Sequence, residues 1–501
     1  MIKKIMSFMM LLAAVSFTAC INDDEVNEEV QDEIVQNGDE NVSFQFVVPN
    51  VGEMRTATAE TTDVLEAGIP DEYKLYNAKI YLFNAKSGNF YKSFSPVKSE
   101  IGDPIVDNNS VTYKEVSYKI KAGTYKVFVV TNIYKELAPA NVNELLQEID
   151  SETYNDVDIN FVGKGIMMTN RGAQAPTVTI EADKTTKVTI SLERVLAKIA
   201  LKKTQHNWEL KDAKGDTYVT ITPSNYNMVN LSKDFYLFRH VGVLPLADET
   251  PAAPASWDIS TNFGVIADVN GYAFDPHFFE KTVAAAPTFD GSRIFNNPIA
   301  KSVDTNFSYP GTFNDPGKYV SVYCLGNTNF RPAQLQTYTT GILIAANMTI
   351  PSDHAFNADG TNIDMENAAP TELYYFNYNF YRDLNAVNLV GKATIPTDPV
   401  SDDVLWKDYQ IKHFKTHQGS YKCFYNTWIR HLNNGKPTYM GVMEFAIVRN
   451  NIYKVNVNNV LGLGDGTPNV DPTPDENDGY LDIDYSIMPW IVRDQDVPLG
   501  E

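Results

Sequence analysis

The chain has 501 residues, 43% of them hydrophobic, and a formal charge of −22 from 63 acidic and 41 basic side chains. That length allows two or three domains with sizeable cores. The acidic balance argues against nucleic acid as a partner, because phosphate binding needs concentrated Lys and Arg; it suits a soluble, self-repelling surface. Abundant Tyr and Phe among Asn- and Thr-rich loops favour β-structure.

Residues 1–20 read as an export signal. Lys3 and Lys4 precede the apolar "IMSFMMLLAAV", and "FTAC" ends it at Cys20. The apolar run is short for a membrane span. A cysteine at the cleavage point resembles the lipobox of bacterial lipoproteins, in which that cysteine is acylated, with Phe17 where Leu is commoner. The acidic "INDDEVNEEVQDEIVQNGDEN" follows, without Lys or Arg, and should be a solvated tether.

"NVSFQFVVP" is the first strand, with Val42, Phe44, Phe46 and Val48 on one face. A small-residue loop, "VGEMRTATAE", comes next. Its Arg55 is the first basic side chain after Lys4. Exposed loops of small polar residues are where proteolytic nicking concentrates. Further strands are expected in "NAKIYLFNAKSGNFYKSF", with Ala78, Ile80 and Leu82 alternating, and on either side of Ala122–Gly123. "NVNELLQEI" reads as a helix capped by Asn141 with Glu144 three residues on, and with Leu145, Leu146 and Ile149 on one side. In "KVTISLERVLAKIALKK" the apolar parity switches near Glu193–Arg194, which marks a bulge or a passage between two sandwiches. We set the domain boundary there.

No phosphate-binding loop, zinc-protease helix or nucleophile elbow is present, and no cofactor or catalytic residue is expected. "LGLGDG" reads as a flexible exit into a linker. His413 and His417 would share a helix face, but no third zinc ligand lies at a diagnostic spacing. Asp353, Asp359 and Asp364 miss the spacing of an EF-hand. Cys324 and Cys423 could pair in an oxidising compartment. The chain ends in the acidic, proline-containing "GDGTPNVDPTPDENDG" and an alternating strand, "YLDIDYSIMPWIV".

The order of "FTAC", "VSFQFVVPNVGEMR", "ERVLAKIAL", "VRNNIYKVNVNNVLGLG" and the tethered strand with "MPWIV" resembles the fimbrillins, shaft subunits of Bacteroidetes type V pili, in particular the short-fimbria shaft type. The resemblance implies a mainly β fold of two tandem transthyretin-like β-sandwiches with long loops and a few short helices. The implied units are 1–20 (signal), 21–55 (tether and removable strand), 56–194 and 195–463 (the two sandwiches), and 464–501 (linker and donor strand). It implies lipidation at Cys20 and cleavage by an Arg-specific protease after Arg55, giving a mature start at Thr56. The strand bearing Val42, Phe44, Phe46 and Val48 would leave. A donor strand offering Leu481, Ile483, Tyr485 and Ile487, then Trp490 and Val492, would replace it in a neighbour. Implied partners are other copies of the chain, anchor and tip subunits, the protease, the lipoprotein export machinery, and host or bacterial surface receptors. A pilus anchor or tip subunit, or a glycan-binding surface lipoprotein, are the alternatives. An anchor needs no cleavable Arg, and a tip or a binding module needs no tethered strand.

Overall fold

The computed structural model describes residues 39–49, 70–106, 110–154, 159–171, 175–243, 271–276, 294–295, 311–328, 338–396, 400–417, 419–431, 444–468 and 480–489. Cys20, Arg55, Thr56, Trp490 and Val492 lie outside these residues. The fold is mainly β, with a few helices of eight residues or fewer among the described residues.

The first half contributes β1 (Asp39–Pro49), β2 (Ala78–Asn84), β3 (Phe90–Phe94), β4 (Ile105–Val106), β5 (Ser110–Thr112), β6 (Val116–Lys121), β7 (Gly123–Thr131), β8 (Ile149–Asp150), β9 (Met168–Asn170), β10 (Thr177–Ile180) and β11 (Thr186–Arg194). Ten of them form one sheet, in the order β3-β2-β7-β9-β11-β1-β5-β4, with β10 on β7 and β6 on β1. The sheet folds around a core that includes Ile80, Leu82, Val127, Val129, Val188 and Ile190. Tyr81, Phe83, Phe128 and Val130 have the opposite parity, yet they are buried as well. They face a second core shared with Phe235, Leu237, Phe238, Leu325 and Ile452 of the second half. Burial on both faces explains the nearly unbroken apolar run in β2 and β7.

The expected helix forms, but only over Val142–Leu146. Asn141 accepts from the Glu144 amide, and Leu145 and Leu146 are buried. Ile149 is not on it. It begins β8, which pairs with Phe235–Tyr236 across the junction and leaves Ile149 exposed.

At the parity switch β11 ends at Arg194, and β12 (Leu196–Lys203) begins in a different sheet. β12 lies between Val320–Leu325, antiparallel, and Asn451–Val460, parallel. This four-stranded sheet covers a nine-stranded one built around Thr217–Val229, Gly341–Thr349 and Ser420–Trp428. Between them lie Ile199, Leu201, Ile221, Ile342, Ile344, Tyr425, Val455 and Val457. Cys324 and Cys423 belong to the same core as free thiols, not a disulfide, and burial pushes each up to about 12.

The terminal strand departs from expectation. Leu481–Pro489 joins a sheet of its own chain, pairing antiparallel with Asn451–Val460 as the edge of the four-stranded sheet. Alternation specifies which face of a strand is apolar, not which sheet receives it.

Candidate strand-exchange site

β1 is an interior strand. Val42–Val47 run parallel to Thr186–Ser191 of β11. On its other side Asp39–Phe44 pair antiparallel with β6, and Val47–Pro49 with β5. The Tyr113 amide donates to Phe46 O at 3.2 Å where β6 gives way to β5. The four apolar residues expected on one face are all in the core, with exposures of 0% for Val42, 1% for Phe44, 0% for Phe46 and 1% for Val48. At roughly 1.5–3 kcal/mol each, they supply about 6–12 kcal/mol gross. Withdrawing β1 would strip two backbone ladders and open that core.

The chain beyond the segment 50–69 is fastened independently of β1. Asn132, at a left-handed φ of 53°, accepts from the Tyr76 amide at 2.7 Å. Its Nδ2 donates to Lys74 O and Ile166 O. The Tyr113 hydroxyl donates to Tyr73 O. Glu72 is buried at the junction, where its Oε1 accepts from Lys198 Nζ at 3.0 Å and from the Tyr323 hydroxyl at 2.6 Å, while Arg194 Nε donates to its carbonyl at 2.8 Å. Burial lowers Arg194 to about 10, against the pull of Glu72. Removing one partner strands a buried charge, so Glu72→Ala is expected to cost about 3–5 kcal/mol of unfolding free energy, read by urea denaturation. Further ties cross the junction. Arg239 bonds Glu193 at 2.8–2.9 Å, and His240 Nε2 donates to Leu146 O at 2.7 Å, while Arg449 braces the same segment from within the second half by donating to Leu237 O and Tyr236 O.

At the other end, Leu481, Ile483 and Tyr485 of the terminal strand are half-buried against the core between the four- and nine-stranded sheets. The Tyr485 hydroxyl is hydrogen-bonded to that of Thr427. The backbone of Ile487 lies opposite Tyr453. The segment before the linker is not a loose exit. Lys412, itself buried, donates to Leu463 O at 2.7 Å, Gly464 O at 3.2 Å and Asp465 Oδ1 at 3.0 Å. Asp465 also exchanges both backbone bonds with Phe424, at 2.8 and 2.9 Å. The rings of Trp406 and Tyr480 lie 4.7 and 4.4 Å from Lys412 Nζ. The Leu461 amide donates to Tyr480 O at 2.7 Å, and a Cβ at Gly462 would collide with the Tyr480 ring. Lys412 therefore clasps both ends of the linker. Lys412→Met is expected to raise amide exchange of 481–489 by about tenfold or more, consistent with loss of charge-assisted bonds worth roughly 1.5–3 kcal/mol.

Other residues singled out in the sequence serve local structure. His413 lies on a strand, not a helix, between Asp402 at 2.9 Å and Glu372 at 3.1 Å, and stacks on Tyr374. His417 meets the edge of Phe424. Asp359 and Asp364 accept bonds from their own turns, at Thr361 and Asn367. No group of three or more metal-type ligands occurs among the described residues.

Comparison with known proteins bears on both ends of the chain. Residues 41–210 match the family described as "Major fimbrial subunit protein (FimA)". Residues 418–496 match "Major fimbrial subunit protein type IV, Fimbrillin, C-terminal". The first match contains β1 and its sheet, and the second contains the terminal strand, so the class is that of fimbrial structural subunits. Over these two stretches the chain is similar to the fimbrillins. Solved structures similar to it include a candidate cell adhesion protein from Parabacteroides distasonis (12% identity, 90% of this chain and 99% of that one, TM-score 0.43). Others are a fimbrilin from Porphyromonas gingivalis (16%, 91% and 99%, 0.39) and the tip fimbrial protein Mfa3 from the same organism (10%, 90% and 100%, 0.38). No curated protein matches the chain.

Proposed function

We propose that the protein is a non-enzymatic shaft subunit of a cell-surface fimbria that polymerises by protease-triggered strand exchange and supports adhesion and biofilm formation. The observation carrying this reading is β1: a strand flanked on both sides, filling a core, and joined to the rest of the chain only through residues 50–69. That joining segment holds Arg55, the only arginine before Arg171. Cleavage after Arg55 would release β1 together with the acidic tether and an acylated Cys20, leaving Thr56 as the new start. Lipoprotein export and an Arg-specific protease are thereby implied partners, and anchor and tip subunits complete the fibre. The working units are 56–194, 195–463 and 464–501, with the two sandwiches joined through the shared core at the junction.

The terminal strand of another copy would fill the vacancy. Leu481, Ile483, Tyr485 and Ile487 repeat the spacing of Val42, Phe44, Phe46 and Val48, with Trp490 and Val492 continuing beyond. On its own sheet the strand has one ladder and half-buried side chains. In the vacated position it would have two ladders and fully buried ones. That difference, in backbone pairing and in apolar burial, drives the transfer. With 461–466 clasped, the reach is counted over residues 467–479, about a dozen, which extend to roughly 45 Å at most.

N-terminal sequencing of the surface-assembled protein tests the reading. A start at Thr56 is expected. An acylated Cys20 in the assembled fibre would instead make the chain an anchor or a surface-bound lipoprotein.

A further inference from the structure

The rim of the β1 position is electrically lopsided. Lys187, Thr189 and Ser191 are the exposed residues of β11, and Ser117, Lys119 and Lys121 those of β6. Lys187 lies opposite Ser43, Lys119 opposite Asn41 and Lys121 opposite Asp39. All three lysines therefore flank the start of β1. At its other end Val47 has Ser191 on one side and Thr112 on the other, both uncharged. Among the described residues one carboxylate, Glu115, lies on the rim. It pairs with Lys187 at 2.5 Å, and the hydrogen bonds from Lys187 and then Ser43 hold it below the usual carboxylate range.

The terminal strand is lopsided in the matching sense. Asp482 and Asp484 are the polar residues of its first half, and Ser486 that of its second. In its own sheet their backbone partners are uncharged, Asn459 for Asp482 and Asn456 for Asp484. If Leu481, Ile483, Tyr485 and Ile487 take the positions of Val42, Phe44, Phe46 and Val48, Asp482 arrives at the position of Ser43. There it has Lys187 directly opposite and Lys119 on the diagonal, close enough for cross-strand charge pairing. Entry in the reverse direction satisfies the apolar positions equally well. It would put Ser486 at the position of Ser43 and leave Asp482 between Ser191 and Thr112. Burial alone does not choose between the two directions, and charge does.

We propose that Lys187, with Lys119, reads Asp482 on the terminal strand of a second copy of this chain, and so fixes the direction of entry as that of β1, parallel to β11. The inference rests on the strand-exchange reading above. It adds a polarity check at the rim, where long-range attraction acts before the core closes. The effect should weaken as salt screens the exposed charges.

The test uses the full chain after Arg-specific cleavage and a synthetic peptide of residues 480–492 carrying an N-terminal nitroxide. Lys187→Glu should weaken capture of the wild-type peptide by about two- to fivefold, as befits a pair whose lysine is exposed. An Asp482→Lys peptide should recover that loss on the Lys187→Glu chain, and the differences should fade in high salt. The nitroxide should broaden resonances of residues 119–121 and leave 110–112 sharp. Broadening at 110–112, or binding indifferent to both charge reversals, overturns the polarity check while strand exchange stands. Failure of the wild-type peptide to bind the cleaved chain at all sinks both readings.

Discussion

Replacing Arg55 by Ala is expected to abolish polymerisation and leave a full-length precursor that retains Cys20 and β1. The precursor should be well folded, because β1 with its four buried residues remains in place. The next arginine, Arg171, lies directly after β9, and its amide is bonded to Ser191 O. Electrophoresis without boiling, which displays polymer ladders, should show only monomer, a loss of at least a hundredfold in polymer. Mass spectrometry should find the intact first strand. Normal fibres from this variant would refute the cleavage assignment.

The second large effect is expected from deleting residues 480–501. The shortened chain loses an edge strand, not an interior one, so the sandwich should still fold. Three half-buried side chains leave the core, at a cost of about 3–5 kcal/mol gross. The chain should accept a strand and donate none. Alone it should stay monomeric after cleavage. Mixed with wild type it should end growing fibres, so that mean length falls as its share rises. Fibres that continue to lengthen from the shortened chain alone would rule out the donor role.

The elements that repeat at short range were legible before the fold. Val42, Phe44, Phe46 and Val48 declared a one-faced strand because strand side chains alternate, and the parity switch near Arg194 coincides with the passage from one sheet to another. Associations between distant segments were not legible. Glu72 meets Lys198 and Tyr323 across 126 and 251 residues. Lys412 meets Leu463 and Asp465 across 51 and 53. A glycine-rich stretch such as "LGLGDG" announces permissive backbone. Here that permission serves close packing, against Tyr480 at Gly462 and against Tyr425 and the Phe424 carbonyl at Gly464. The helix at Val142–Leu146 was legible in its cap and misjudged in its length, because pairing of Ile149 across the junction overrides local periodicity.

The interior position of β1 has a mechanical consequence. A strand added at a sheet edge can be peeled away one bond at a time. A strand seated between β11 on one side and β6 and β5 on the other is gripped along both flanks. Pulled along its length, it yields only when both sets of bonds shear together. A fibre whose every joint has this geometry should bear tension by shear, and should fail under load elsewhere in the subunit before its joints unzip.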